Sequence, residues 1–102
     1  MRVDIEHKRR EIFEACERFG VARLDVFGSS LGSGYRPGLS DVDLLVEFGP
    51  MEPHDRVDAY FGLHEALSEI LGTEVDLVMA GAVKNRFIAA EIERTKQRLY
   101  AA

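Results

Sequence analysis

The chain reads Ser40-Asp41-Val42-Asp43-Leu44-Leu45-Val46 near its middle. Apolar residues that alternate with Asp41 and Asp43 are typical of a strand with one buried face. Side chains two residues apart on a strand point to the same side, so these carboxylates lie together, with Cα atoms roughly 6.5 Å apart. This spacing suits a pair of divalent cations, which lie roughly 3.5–4 Å apart in two-metal sites.

A second signal lies upstream, where the apolar run 24–27 ends in Gly28 and Ser29. A glycine allows the backbone to approach a phosphate closely, and a turn at the end of a strand presents backbone N–H groups to an anion. Gly-Ser alone occurs in many turns, so its weight comes from its place before the two aspartates. Together the two segments indicate nucleotide chemistry.

Hydrophobic periodicity predicts an α/β (α+β) fold: a small mixed β-sheet of about three strands with helices packed on it. The predicted helices span 4–19, 56–71 and 83–99, and the predicted strands span 23–27, 42–48 and 74–79. Gly20 and Gly72 are the expected helix ends, and Asp55 is the expected N-cap of the second helix. Residues 1–102 are predicted to form a single domain.

Composition restricts the possible functions. The 102 residues carry a net charge of −5 and include one cysteine, Cys16. The acidic balance argues against extended nucleic-acid binding, and a lone cysteine provides no disulfide framework. The sequence has no signal-peptide pattern and no apolar run of ~20 residues, so we expect a cytoplasmic protein without membrane segments.

Asp76 is the third candidate carboxylate, because it interrupts the apolar strand 74–79. If this strand pairs beside the second one, Asp76 faces the same side as Asp41 and Asp43. An ordinary edge-strand aspartate is the alternative reading. For the first two aspartates the alternative is a polar strand end in solvent, which the low frequency of aspartate in strands disfavours.

Gly28-Ser29, a spacer and Ser40-Asp41-Val42-Asp43 resemble the polymerase-beta-type nucleotidyltransferase superfamily. The short chain and the strand with Asp76 resemble its minimal nucleotidyltransferase (MNT) branch. The resemblance covers nearly the whole chain and implies the nucleotidyltransferase fold.

The resemblance also implies roles for individual residues. Asp41, Asp43 and Asp76 would bind two Mg²⁺ ions, and Asp76 would also activate the attacking hydroxyl. Gly28 and Ser29 would contact the triphosphate of ATP or another NTP, with Ser40 beside them. The implied reaction transfers AMP from ATP to a protein hydroxyl, a tyrosine of a partner HEPN toxin, so that the protein acts as an antitoxin.

The loop departs from the family pattern in two ways. The spacer from Ser30 to Ser40 is one residue longer, and the usual arginine-glycine pair after Gly-Ser is absent; Arg36 is the candidate for the missing positive charge. Two alternatives therefore stay open: an antitoxin that neutralises its toxin by binding alone, and the catalytic half of a two-chain nucleotidyltransferase with another acceptor. The sequence also allows an oligomer.

The other polar candidates have ordinary interpretations. The three histidines lack metal-ligand spacing, and His64, on the apolar side of its helix, is expected to be a partly buried structural residue. Cys16 is expected in the core. The basic residues of the last predicted helix suit a helix C-terminus or a partner contact.

Overall fold

A mixed four-stranded sheet lies at the centre of the computed structural model, which describes residues 5–27 and 42–102. The strands are β1 (Val21–Phe27), β2 (Val42–Phe48), β3 (Val75–Met79) and β4 (Gln97–Ala101). Their order across the sheet is β3-β2-β1-β4. β1 is antiparallel to both β2 and β4, whereas β2 is parallel to β3.

The helices are α1 (Arg9–Arg18), which follows a 3-10 turn at Glu6–Lys8, α2 (Pro53–Leu71) and α3 (Arg86–Thr95). α2 connects β2 to β3, because parallel neighbours need a crossover connection. It ends at Gly72, whose φ of 66° is the left-handed conformation expected at a helix end. Gly20, with a φ of 73°, ends the first helical segment in the same way.

The core lies between one face of the sheet and the helices α1 and α2. The fully buried side chains come from every second residue of β2, from β1 and from one side of α1 and α2: Val42, Leu44, Val46, Leu24, Ile12, Cys16, Leu63 and Leu67. Burial raises the pKa of the Cys16 thiol to about 12, as expected for an unreactive core residue. The opposite face of the sheet, called here the outer face, carries Asp43 and Asp76.

The predicted fold class is confirmed, and three details of the prediction are wrong. The last predicted helix, 83–99, stops at Thr95, and the chain then forms a fourth strand along β1. Leu99 is buried, and it lies on β4 and not on a helix. α2 begins at Pro53, where proline suits the first helical turn, so Asp55 lies inside the helix and is not its cap. The first predicted helix, 4–19, begins as a 3-10 turn.

Candidate functional site

Asp43 and Asp76 are direct neighbours on β2 and β3. The parallel register pairs these two residues with each other, and adjacent strands lie roughly 4.8 Å apart. Both side chains lie on the outer face, because the residues that flank them in sequence are buried in the core. The structure therefore brings two of the three predicted carboxylates together, which confirms the expectation that the third strand pairs beside the second.

The two carboxylates differ in their surroundings. Asp43 is only 4% exposed, whereas Asp76 is open to solvent at the edge of the sheet. Loss of solvation raises the pKa of Asp76, the negative charge of Asp43 raises it further, and His64 opposes both effects. Two carboxylates that repel each other at one position are the arrangement that a bound cation relieves.

A second charged pair lies on the outer face, beside the first. Arg98 of β4 donates a hydrogen bond to Asp25 of β1 at 2.6 Å, and the Asp25 side chain is 6% exposed. A groove of about 120 Å³ lies here, between the sheet and α3. It is lined by Arg23, Asp25, Leu45, Glu47, Ala80, Glu93 and Lys96.

The charged side chains that line this groove form ion pairs with other side chains of the protein. Arg23 forms an ion pair with Glu47, and Lys96 lies 3.0 Å from Glu93. The groove therefore lies on the same face of the sheet as the two carboxylates, but its charged side chains are already engaged in ion pairs.

Comparison with known proteins identifies the family. The Nucleotidyltransferase domain family matches residues 9–99, which include both carboxylates and all four strands up to Leu99. The chain belongs to the nucleotidyltransferase family. The enzyme class predicted from the sequence is thereby confirmed.

Two curated relatives point to the minimal branch of nucleotidyltransferases. A provisionally named protein adenylyltransferase of Methanocaldococcus jannaschii is 39% identical over 88% of this chain and 86% of its own length. The protein adenylyltransferase MntA of Thermococcus cleftensis is 42% identical over 71% of this chain and 69% of its own length. The resemblance to the minimal branch is therefore confirmed.

A solved structure has the same fold. It contains the tri-AMPylated HEPN toxin of Shewanella oneidensis in complex with the MNT antitoxin. The match has a TM-score of 0.66 and 16% identity, and it covers 97% of this chain and 74% of that chain. At this identity the likeness establishes the nucleotidyltransferase fold.

Several predicted site residues lie outside the described part of the nucleotidyltransferase. These are Asp41, Gly28, Ser29, Ser40 and Arg36. Within residues 5–27 and 42–102, no three His, Cys, Asp or Glu side chains form a group that could hold a metal ion. The described part of the site is thus the pair Asp43 and Asp76, and the contribution of Asp41 stays a prediction.

The other sequence expectations have mixed outcomes. His64 is partly buried and bonded to the backbone, as expected for a structural residue. Of the basic residues in the last predicted helix, 83–99, Arg94 and Lys96 pair with glutamates of α3. Arg98 belongs to β4 and binds Asp25. Over the described ranges, no helix combines the length and apolar character needed to span a membrane.

Sequence reasoning missed Asp25, Tyr60 and the contact of His64. Asp25 interrupts the apolar run of β1 just as Asp76 interrupts β3, and this signal was available. Tyr60 and His64 lie four residues apart on the largely apolar side of α2. Their polar atoms bind backbone carbonyls of β3, a contact that becomes visible only when helix and strand are placed together.

Proposed function

We propose that this nucleotidyltransferase transfers AMP from ATP to a tyrosine hydroxyl of a partner HEPN toxin and so acts as an antitoxin. The observation that carries the proposal is the register of Asp43 with Asp76 on neighbouring strands. The names of both curated relatives, protein adenylyltransferases, support the reaction. The complex of an MNT antitoxin with an AMPylated HEPN toxin supports the choice of partner.

The two described carboxylates fit a divalent cation such as Mg²⁺. Carboxylate oxygens are the ligands that this hard ion prefers, and the mutual repulsion of Asp43 and Asp76 is relieved by positive charge. We propose that Asp41, two residues before Asp43 in the sequence, completes a site for two ions. Bound there, the ions would supply charge neutralisation for the triphosphate and a lower pKa for the acceptor hydroxyl.

In the proposed reaction the tyrosine oxygen forms a bond to the α-phosphorus of ATP. The bond from that phosphorus to the oxygen bridging to the β-phosphate breaks, and pyrophosphate leaves. Asp76 orients the acceptor hydroxyl and accepts its proton, since it is the carboxylate open to solvent, where a partner protein can approach. Asp43 holds its position inside the sheet and contributes negative charge to the metal site.

The proposed nucleotide contacts come from residues 28–40, which precede β2 in the sequence. Gly28 and Ser29 bind phosphate through the backbone and a hydroxyl group, Ser40 contributes a second hydroxyl, and Arg36 supplies a positive charge. A reaction that consumes ATP fits a cytoplasmic location, which we propose for the protein.

The reaction can be tested with the purified protein, ATP labelled at the α-phosphate, Mg²⁺ and the HEPN protein encoded beside it. Label should move to the toxin, and Tyr→Phe changes in the toxin should locate the acceptor. Asp43→Asn and Asp76→Asn should each reduce the transfer rate by at least about 100-fold, the scale of losing proton transfer or an essential charged group. Asp58→Asn, an exposed change on α2, is the matched control and should keep the wild-type rate.

Absence of label on any toxin residue would contradict the catalytic proposal. A second candidate function, neutralisation by binding alone, is favoured by the long spacer from Ser30 to Ser40 and by the missing arginine. Expression of the Asp43→Asn variant with the toxin in cells distinguishes the two functions. If this variant protects the cells and the purified variant transfers no label, then binding is sufficient.

A further inference from the structure

Two polar side chains of α2 bind the backbone of β3 on either side of Asp76. The Tyr60 hydroxyl donates a hydrogen bond to the carbonyl oxygen of Leu77 at 2.5 Å. The carbonyl oxygen of Val75 lies 2.8 Å from His64 Nε2, which carries the hydrogen because a carbonyl can only accept. The residues directly before and after Asp76 are thus both fixed to the same helix.

The carbonyls of Val75 and Leu77 lie along the edge of the sheet formed by β3, and not on the outer face. Among the strands of residues 5–27 and 42–102, β3 lies at one end of the sheet, and an edge strand has one row of backbone groups that does not pair with another of these strands. The N–H of Ala80 donates to Val46 of β2 at 2.7 Å, so alternate backbone groups of this segment point toward β2. Val75, Leu77 and Met79 therefore direct their carbonyls outward, and the third of these accepts a hydrogen bond from Ala82 at 3.0 Å.

The spacing of the two donors matches the spacing of the two acceptors. Tyr60 and His64 are four residues apart, which places them on one face of α2 at roughly 6 Å along its axis. Val75 and Leu77 are two residues apart on a strand, which corresponds to roughly 6.6 Å. The earlier helix residue binds the later carbonyl, as required for a helix that runs opposite to the strand that follows it.

We propose that Tyr60 and His64 are positioning residues that hold Asp76 in register with Asp43. The inference rests on the proposed role of this carboxylate pair in cation binding. A shift of β3 by a single residue would turn Asp76 toward the core, because the side-chain period of a strand is two. The two hydrogen bonds act on the backbone immediately around Asp76 and oppose such a shift.

The electrostatics agree with this proximity. Burial raises the pKa of Tyr60, and the negative charge of Asp76 raises it further. His64 in turn acts against the rise in the pKa of Asp76. Each donor is therefore close enough to the carboxylate to influence it, although each one bonds to the backbone beside it.

The test measures cation affinity in the folded protein, with Mn²⁺ as the probe and electron paramagnetic resonance to count the free ion. The variants are Tyr60→Phe, which removes only the hydroxyl, and His64→Leu, which removes the donor. Each should weaken Mn²⁺ binding about tenfold, the lower range for loss of a group that orients a metal ligand. His64→Gln keeps an N–H donor and should restore most of the affinity.

Tyr100→Phe is the matched control, since it removes a hydroxyl from β4 and should leave Mn²⁺ affinity at the wild-type value. All titrations are performed well below the melting temperature of each variant, so that a loss of stability alone has no effect. Wild-type affinity in both Tyr60→Phe and His64→Leu, with weaker binding by Asp76→Asn, would overturn the positioning role and leave the metal site intact. No Mn²⁺ binding by the wild-type protein would overturn both.

Discussion

Asp76 occupies a position where its own charge is unfavourable. Loss of solvation and the neighbouring Asp43 both raise its pKa above the ordinary value of 3.8, and His64 offsets only part of this rise. A carboxyl group whose folded-state pKa is raised contributes most to stability below the unfolded pKa. That contribution is lost as the pH increases through the folded-state pKa.

Asp76→Asn should therefore raise the melting temperature of the metal-free protein at pH 7. The gain should shrink as the pH is lowered toward 3.8, because the wild-type carboxyl group then becomes neutral as well. Thermal unfolding followed by circular dichroism between pH 4 and 7 measures the effect. Asp58→Asn is the control and should show no comparable gain; a melting temperature for Asp76→Asn below that of the wild type at pH 7 would contradict the electrostatic argument.

The presence of glycine at position 62 is explained by a neighbouring side chain, Phe19. A Cβ atom at this position in α2 would lie 2.5 Å from Cε1 of Phe19, too close for any real contact. Gly62→Ala should lower the free energy of unfolding by about 1–3 kcal/mol, the usual cost of overpacking, despite the better helix propensity of alanine. Urea unfolding measures the change. In a Phe19→Leu background the same substitution should cost much less, and an equal cost there would exclude the clash as the cause.

At the residue scale, the sequence was sufficient to predict the carboxylates Asp43 and Asp76. It was not sufficient to predict Tyr60 and His64, which bind the backbone beside Asp76. Asp43 and Asp76 are each unusual in an apolar strand, so local pattern alone revealed them. Tyr60 and His64 have no such signal, because a tyrosine and a histidine on an apolar helix side are ordinary core residues. Their role depends on which backbone atoms the helix meets after folding.

Among the secondary-structure elements, α3 depends most visibly on its N-cap residue, Asn85. The Asn85 side chain accepts hydrogen bonds from the backbone N–H groups of Phe87 at 2.9 Å and Ile88 at 3.2 Å. These are two of the four donors that a helix start leaves without helical partners. Phe87 and Ile88 are themselves largely exposed, at 81% and 53%, so packing adds little at this end.

Asn85→Ala should therefore destabilise the protein by about 1 kcal/mol and open the first turn of α3. Urea unfolding gives the first quantity, and hydrogen exchange of the Phe87 and Ile88 amides gives the second. Asn85→Asp keeps an accepting oxygen and serves as the control, with near wild-type exchange. Unchanged exchange in Asn85→Ala would show that the cap does not maintain this turn.

β4 shows where sequence periodicity fails at the scale of elements. Ile92 and Leu99 are seven residues apart, a spacing that fits a continued helix, and no glycine or proline separates them. The chain nevertheless leaves the helix at Lys96, whose backbone is extended, and pairs with β1. The partner strand lies more than seventy residues earlier in the sequence. The competing structure was therefore non-local, and a local pattern could not reveal it.

At the scale of the whole molecule, β4 closes one side of the sheet. Its Leu99 and Tyr100 are 5% and 8% exposed, and the Leu99 carbonyl accepts a hydrogen bond from Arg9 at 3.0 Å. Removal of residues 97–102 would expose this apolar surface together with the backbone edge of β1. Exposed edges of this kind are sites of aggregation.

A chain that ends at Lys96 should therefore lose its cooperative thermal transition and form aggregates. Calorimetry and size-exclusion chromatography detect the two effects. A chain that lacks only Ala102, whose N–H donates to Ala22 at 2.8 Å, should keep a cooperative transition with a slightly lower melting temperature. Cooperative unfolding of the shorter chain would show that the other three strands are sufficient for the fold.

The parallel pairing of β2 with β3 also determines when during synthesis the site can exist. Asp43 and Asp76 are neighbours in space but are separated by the whole of α2 in the sequence. A ribosome-bound chain that has emerged only as far as the end of α2 contains Asp43 and still lacks Asp76. Closing this connection also costs more conformational entropy than closing a short hairpin, so we expect the pair to form later than local contacts. Cation binding by the pair would thus report that a newly made molecule has completed its sheet up to β3.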